Sequence, residues 1–309
     1  MVIKIFYFLK PFIPRHLQIA VRRILTKKKL KQYENIWPID PKAGEAPGDW
    51  EGWPDGRRFA IILTHDVDTQ EGHDKCYRLL EIEEKLGFRS SFNFVLQRYD
   101  VDNQLLRKIV DRGFEIGIHG LNHDGKLYNT RKIFGERAAK INQYIEKWGA
   151  VGFRSPAMHH NLDWIHDLNI KYDASTFDTD PFEPQSDGVG TIFPFWVKGS
   201  NNQDGYLELP YTLPQDHLLF IILEETNSNI WKQKLDWIAQ KGGMALLNTH
   251  PDYMNFGSRR SGLEEYPVRF YEDFLKYVKN NYEGQYWHVL PREISCSWSK
   301  ISENINRKY

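Results

Sequence analysis

The sequence predicts an α/β fold built from parallel β/α units, either a layered sheet or a barrel. Three observations carry this reading: short apolar runs alternate with longer amphipathic segments along most of the chain, the runs are as continuous as buried strands require, and several of the longer segments stop at a glycine. With 309 residues and 14% aromatics, the chain can bury a substantial core and is not disordered.

Taken in order, residues 1–32 form a basic arm with nine basic residues and no acidic ones. The whole chain balances 41 Lys+Arg against 41 Asp+Glu, so the remainder is an acidic body of net charge −9. That balance excludes a basic surface for nucleic acid. Residues 5–9 are apolar but are followed by Lys10, Pro11 and Pro14, a run shorter than the roughly 7–15 residues of a signal h-region. Residues 15–31 read as an amphipathic helix with Leu17, Ala20, Val21, Ile24 and Leu25 at helical spacing. Such a helix is expected either to lie on an anionic membrane face, aided by Phe6, Tyr7, Phe8 and Phe12, or to pack on the body with its lysines solvated. No apolar run approaches the roughly 20 residues of a membrane span. Cys76 and Cys296 lie far apart, without a C-x-x-C, and fit a reducing compartment. The expected location is cytoplasmic, peripheral on the inner face of a membrane.

Residues 33–56 carry Pro38, Pro41, Gly44, Pro47, Gly48, Gly52, Pro54 and Gly56, and read as a linker or a wrapped surface segment. Residues 57–309 form the remaining domain. Strands are expected at 59–63, 91–96, 114–118, 151–153, 171–174, 191–197, 206–209, 244–248 and 286–290. Helices are expected at 72–86, 103–111, 130–148, 162–168, 229–241 and 266–280. Gly87 and Gly113 stop the first two of these helices.

The chemistry-bearing residues sit just beyond apolar strands. The first strand runs into Thr64-His65-Asp66-Val67-Asp68, the third into His119-Gly120-Leu121-Asn122-His123, the fourth into Arg154-Ser155-Pro156, and a late strand into Thr249-His250-Pro251-Asp252. In parallel α/β folds these C-terminal strand ends form the functional rim. Each piece alone has a plain reading. Asp-x-Asp is often a turn or helix cap, and the histidines and Arg154 suit polar turns or a surface ion pair. Delivery to one face by four strands makes the set more specific than its parts.

Two imidazoles and one carboxylate are a usual protein ligand set for a catalytic divalent metal, and His119, His123 and Asp68 supply them. Such a metal activates water and polarises a carbonyl. Asp66 is then the candidate base, Arg154 the group that keeps it ionised and aimed, and His250 the acid that protonates a leaving nitrogen. An i, i+2 pair in a strand shares a face, so Asp66 and Asp68 can serve one centre. No Gly-x-Ser-x-Gly elbow or phosphate-cradling glycine loop is present.

At these residues, from about 57 to 255, the chain resembles the NodB-homology polysaccharide deacetylases, carbohydrate esterase family four. The correspondences are Thr64 to Asp68, His119 to His123, Arg154 to Pro156, Tyr172-Asp173-Ala174-Ser175, and Leu247-Asn248-Thr249-His250. The resemblance implies a distorted, incomplete (β/α) barrel, one divalent metal (commonly zinc), and removal of acetyl from an N-acetylated sugar or glycan. It also implies that the Ala157 N–H helps hold the oxyanion and that Asp173 tunes His250, with Asp178 and Asp180 as competitors. The chain departs from the common Thr-Phe-Asp-Asp-Gly motif, because Val67 separates the carboxylates and His65 replaces the aromatic; the Asp-x-Asp form takes the first Asp as base and the second as ligand. Met158 stands where a glycine usually follows Arg-x-Pro-x. Trp196, Tyr211, Trp231, Trp237 and Tyr253 are candidates to stack on sugar rings, Tyr253 being best placed. The rival readings are an amidase for a small non-sugar amide and a catalytically silent glycan-binding protein. The arm is expected to hold no residue of the site.

Overall fold

The computed structural model describes residues 14–48, 50–199, 205–257 and 261–306; Phe6, Tyr7, Phe8 and Phe12 lie outside them. Strand β1 (Phe59–Val67) is the axis of the sheet. It pairs in parallel with β8 (Met244–Thr249) on one side. On the other side it pairs with β11 (Tyr286–His288) along its first half and with β2 (Ser91–Phe94) along its second. The sheet continues in parallel through β3 (Glu115–Ile118), β4 (Gly152–Phe153), β5 (Tyr172–Asp173) and β7 (Tyr206–Glu208), and ends in the antiparallel strand β6 (Phe195–Val197).

This sheet curls into the distorted, incomplete barrel expected. The chain beyond β7 completes the turn through single bridges, Phe177 to Tyr211 and Leu213 to Leu247. Alternation along β1 sorts the two sides. Ala60 and Ile62 enter the apolar cluster inside the barrel with Leu207, Leu209 and Leu246. Phe59, Ile61, Leu63 and Val67 instead enter the cluster beneath the helices.

The helical layer contains α2 (Gln70–Leu86), α3 (Asn103–Asp111), α4 (Arg131–Trp148), the single turn α5 (Leu162–Ile165), α6 (Asn229–Lys241), α7 (Arg269–Tyr282) and α8 (Pro291–Asn306), which follow α1 (Arg15–Leu30). Their ends are set by local chemistry. Thr69 and Thr130 cap α2 and α4 by accepting backbone N–H bonds, while Gly87 and Gly149 close them in the left-handed conformation.

Several features differ from expectation, among them the helix expected at 162–168, which ends at Ile165, and the strand expected at 191–197, which begins at Phe195. β1 runs on to Val67 because its polar residues pair with β8 and β2 and so need not leave the sheet. The helix expected to start at 266 starts at Arg269, since Tyr266–Pro267 forms β10 against β9 (Met254–Asn255). A π-helical turn, His217–Ile222, occupies an apolar stretch read as neither helix nor strand. Helix α8 was not anticipated at all, although Pro291 at its start suits a first helical turn.

Residues 33–56 wrap the body. Trp37, Ala43 and Trp53 are buried, Ala43 accepts from the Ile192 N–H at 3.0 Å, and Trp53 Nε1 donates to the Gly242 carbonyl at 2.8 Å. Helix α1 lies against the π-helical turn and the loop beyond it. Arg23 and Lys27 both pair with Glu224 at 2.8 Å, Arg23 donates to the Ile221 carbonyl, and Arg15 pairs with Glu264. Ile19 and Thr26 are buried, whereas Leu17, Val21, Ile24 and Leu25 face solvent at 49–57% exposure. The helix therefore turns its cationic edge to the body and its apolar stripe outward.

Candidate metal and catalytic site

The site is built on one row across three strands. Asp66 of β1 is in register with Asn93 of β2, and Asn93 with Gly117 of β3. A Cβ at position 117 would lie 2.0 Å from Asn93 Oδ1, so the glycine leaves the room that Asn93 occupies. Asn93 Nδ2 donates to Asp66 Oδ1 at 2.9 Å. From the other side, Asn248 of β8 donates to Asp66 Oδ2 at 2.8 Å. Arg154, fully buried beyond β4, brings Nη1 to 2.7 Å from Thr64 Oγ1 and 3.4 Å from Asp66 Oδ1. Its Nε donates to the Ala174 carbonyl at 2.8 Å. Burial alone would favour the neutral acid, but His119, Arg154, His250 and the Asn93 bond outweigh it and hold Asp66 below the usual carboxylate range. Asp66 is thus an ionised carboxylate with a fixed orientation.

His65, between the paired carboxylate positions, points to the opposite side. Its Nδ1 lies 2.7 Å from Thr249 Oγ1 and its Nε2 2.9 Å from Glu83 Oε1, among the core beneath α2. The Asp-x-Asp spacing therefore sends Asp66 and Asp68 one way and His65 the other.

Asp68, His119 and His123 converge, with one potential ligand atom from each lying within 4.8 Å of the others. His119 Nε2 and His123 Nε2 each stand 3.4 Å from Asp68 Oδ1. That oxygen is buried and has no hydrogen-bond partner. His119 Nδ1 meets the Arg154 carbonyl at 3.1 Å, and a carbonyl only accepts, so Nδ1 carries a proton and Nε2 is the ring atom turned toward Asp68. An unpartnered carboxylate oxygen between two imidazoles fits a divalent ion. Asp252 steadies Asp68 by accepting its backbone N–H at 3.0 Å and the Thr69 hydroxyl at 2.5 Å. Gly72 makes this approach feasible, because a Cβ there would meet Asp252 Oδ2 at 2.1 Å.

His250, following β8, faces the same pocket as Asp66, Asp68, His119 and His123. Its carboxylate partner is Asp216, and the expectation for Asp173, Asp178 or Asp180 is corrected accordingly. Asp216 Oδ1 lies 2.7 Å from His250 Nδ1, and Oδ2 accepts the His250 N–H at 2.8 Å and the Tyr266 hydroxyl at 3.0 Å. Burial opposes the charged imidazole, but Asp216, with smaller help from Asp68 and Asp66, raises its pKa to about 10. Asp173 instead accepts from Ser175 Oγ, which in turn accepts the Ser155 N–H, and so braces the turn after Arg154. Asp178 pairs with Lys234, and Asp180 accepts from the Tyr211 hydroxyl. Asp216 heads the π-helical turn His217–Ile222, preceded by the single bridges at Tyr211 and Leu213 and not by a full strand, so no strand-end signal marked it. Asn93 and Asn248 were legible as polar residues inside apolar runs.

Ala157 lines the pocket. Ala157 and Met158 both have left-handed backbone angles, φ 56 and φ 54, so Met158 holds at a steric cost the conformation a glycine takes freely. Tyr253 also lines the pocket, its ring 5.2 Å from that of His250. Tyr211 and Trp231 are buried in the core, and Trp196 and Trp237 pack partly buried against it. The expectation that the arm stays clear of the site is corrected: Arg15 and Arg22 of α1 line the same pocket.

No family model matches the chain, and no curated protein matches it. Solved structures do. A crystal structure named as a polysaccharide deacetylase from Mycobacterium smegmatis superposes with a TM-score of 0.62 at 18% identity, over 81% of this chain and 93% of that one. The chain has the polysaccharide deacetylase fold. A second structure so named, from Pseudomonas aeruginosa PAO1, gives 0.61 at 16% identity over 80% and 93%. The Puue allantoinase gives 0.62 at 15% identity over 85% and 97%. One barrel therefore serves proteins named for different reactions, and the reaction of this chain has to be argued from its site.

Proposed function

We propose that the protein is a metal-dependent hydrolase that removes the N-acetyl group from a sugar of a glycan or glycan precursor. The observation that carries this is a buried, unpartnered Asp68 oxygen between two imidazoles, with an ionised Asp66 and the His250–Asp216 pair on the same pocket. Asp68, His119 and His123 are the residues to hold the ion, zinc by resemblance. When bound, the ion supplies Lewis acidity to a water and to the amide carbonyl. Asp66 takes the proton of the attacking water, held in place by Asn93, Asn248 and Arg154. His250, charged at neutral pH and fixed by Asp216 through Nδ1, gives its Nε2 proton to the departing amine. The Ala157 N–H is the candidate donor to the developing oxyanion, and Tyr253 offers a ring face to the sugar.

Acetate release from a panel of N-acetyl sugars by zinc-loaded protein tests the reading. Asp66→Asn should lower the rate by about 10²–10⁴-fold. Unchanged turnover in that variant, or no acetate from any sugar, overturns it. The allantoinase of the same fold is the reason to include a small cyclic amide in the panel. Turnover of that amide alone replaces the substrate class.

Peripheral contact with an anionic membrane belongs to the same reading. It is supported by the outward stripe of Leu17, Val21, Ile24 and Leu25 beside Lys28 and Lys29. Among the described residues, no helix is long and apolar enough to cross a bilayer. Leu17→Asp with Ile24→Asp should abolish co-sedimentation with anionic vesicles, and retained binding refutes the contact.

A further inference from the structure

Helix α1 presents three arginines toward the body, and they differ in what they meet. Arg23 is matched by Glu224 at 2.8 Å and by the Ile221 carbonyl. Arg15 meets Glu264 through Nε. Arg22 has no ion-pair partner within reach among the described residues. Arg15 and Arg22 are two turns apart on the inward edge of the helix, with Ile19 between them. Both line the pocket that holds Asp66, Asp68 and His250.

The anionic neighbour of Arg22 is already engaged. Glu183 Oε1 accepts from the Tyr211 hydroxyl at 2.9 Å and from Gln215 Nε2 at 2.8 Å. Burial first, then Asp180, pushes its pKa up to about 7, so at neutral pH it cancels only part of the arginine charge. His217, also lining the pocket and half-buried, is kept neutral by desolvation first and then by Arg22. The mouth therefore carries permanently charged guanidinium groups, one of them without a partner, a planar donor array suited to the oxygens of a phosphate.

We propose that Arg15 and Arg22 form an anion subsite on the rim of the pocket, which takes a phosphate or diphosphate attached to the N-acetylated sugar. The inference rests on the deacetylase reading and narrows its substrate to a phosphate-linked sugar instead of a neutral polymer. A nucleotide and a lipid carrier share this chemistry.

The test compares zinc-loaded protein acting on N-acetylglucosamine 1-phosphate and on the neutral methyl N-acetylglucosaminide, with binding of both measured by calorimetry. The wild type should favour the phosphate at least tenfold in KM and in Kd. Arg15→Gln with Arg22→Gln should bring both ratios to about one, whereas Lys28→Gln on the outer side should keep them. A wild-type ratio near one, or a ratio untouched in the double variant, overturns the subsite even when acetate is released. Absence of acetate from both compounds overturns the reaction instead, and the calorimetric ratios still decide the subsite. With the subsite established, UDP-N-acetylglucosamine and a farnesyl-diphosphate-linked N-acetylglucosamine in anionic vesicles separate the sources. A further gain for the lipid form that Leu17→Asp with Ile24→Asp removes assigns the lipid carrier; a gain for the nucleotide alone assigns the nucleotide.

Discussion

Replacing Asp216 by Asn should uncouple His250 from its charge while leaving the fold in place, because the amide fills the same volume. In the wild type, burial disfavours the imidazolium, and Asp216 is the largest influence in the other direction, lifting the pKa from 6.5 to about 10. Asp66 and Asp68 contribute less, and a cation bound between Asp68 and the histidines would offset their share. Without the Asp216 charge, burial prevails and the His250 pKa falls below 6.5. The acid is then mostly unprotonated at pH 7.5, and the expected loss in kcat is about 10²–10⁴-fold. The stability consequence has a definite sign. A group whose pKa is raised on folding stabilises the fold fully below its unfolded value of 6.5 and loses that contribution as pH rises to about 10. At about 1.4 kcal/mol per pH unit, the whole contribution is of the order of 5 kcal/mol. Urea unfolding from pH 6 to 10 should therefore show a declining stability in the wild type and a flatter one in Asp216→Asn. An NMR titration of the His250 ring measures the pKa directly. A His250 pKa unchanged between the two proteins refutes the reasoning, whatever the rates show.

Three further outcomes follow from the same structure. His119→Ala should reduce bound zinc from about one ion per chain to near none by elemental analysis, and an unchanged metal content removes His119 from the centre. Glu115 is buried, accepts from the Tyr172 hydroxyl and the Arg292 N–H, and has its pKa raised by burial to about 7. Its ionisation costs stability as pH climbs from 4.5 to about 7, up to about 3 kcal/mol at about 1.4 kcal/mol per unit. Glu115→Gln should therefore gain on the wild type across that window in denaturant melts, and parallel curves would contradict it. Lys234 and Asp178 form a pair 2.7 Å apart with both side chains 1% exposed. Lys234→Met leaves Asp178 uncompensated and should cost about 3–5 kcal/mol by urea unfolding; a loss under 1 kcal/mol would show that Asp178 simply takes up a proton.

Much of the site was legible because strand ends in a parallel α/β fold advertise themselves. Asp66, Asp68, His119, His123, Arg154 and His250 each follow an apolar run, and all six gather around one pocket or directly behind it. The i, i+2 spacing put both carboxylates on one face, because strand alternation is a local property, and the structure shows His65 on the other. The helices 103–111 and 229–241 were legible to the residue for the same reason, with apolar periodicity and turn residues marking their ends.

What the sequence determined by itself was the set of strand-borne groups and the order in which the barrel presents them, since both follow from local hydrophobic pattern. The tertiary structure alone decided which carboxylate serves His250: Asp173, Asp178 and Asp180 lie on or near strand ends, yet Asp216 reaches it from the head of the π-helical turn, 34 residues away in sequence. It also decided where α1 lies. Charge counting separated the nine cations of the arm from the acidic body. Packing brought Arg15 and Arg22 back to the pocket, because the inward edge of the helix is anchored by Ile19, Thr26 and the Glu224 and Glu264 pairs. Long-range ion pairing and burial leave no periodic trace along the chain, and they set the electrostatics of this site.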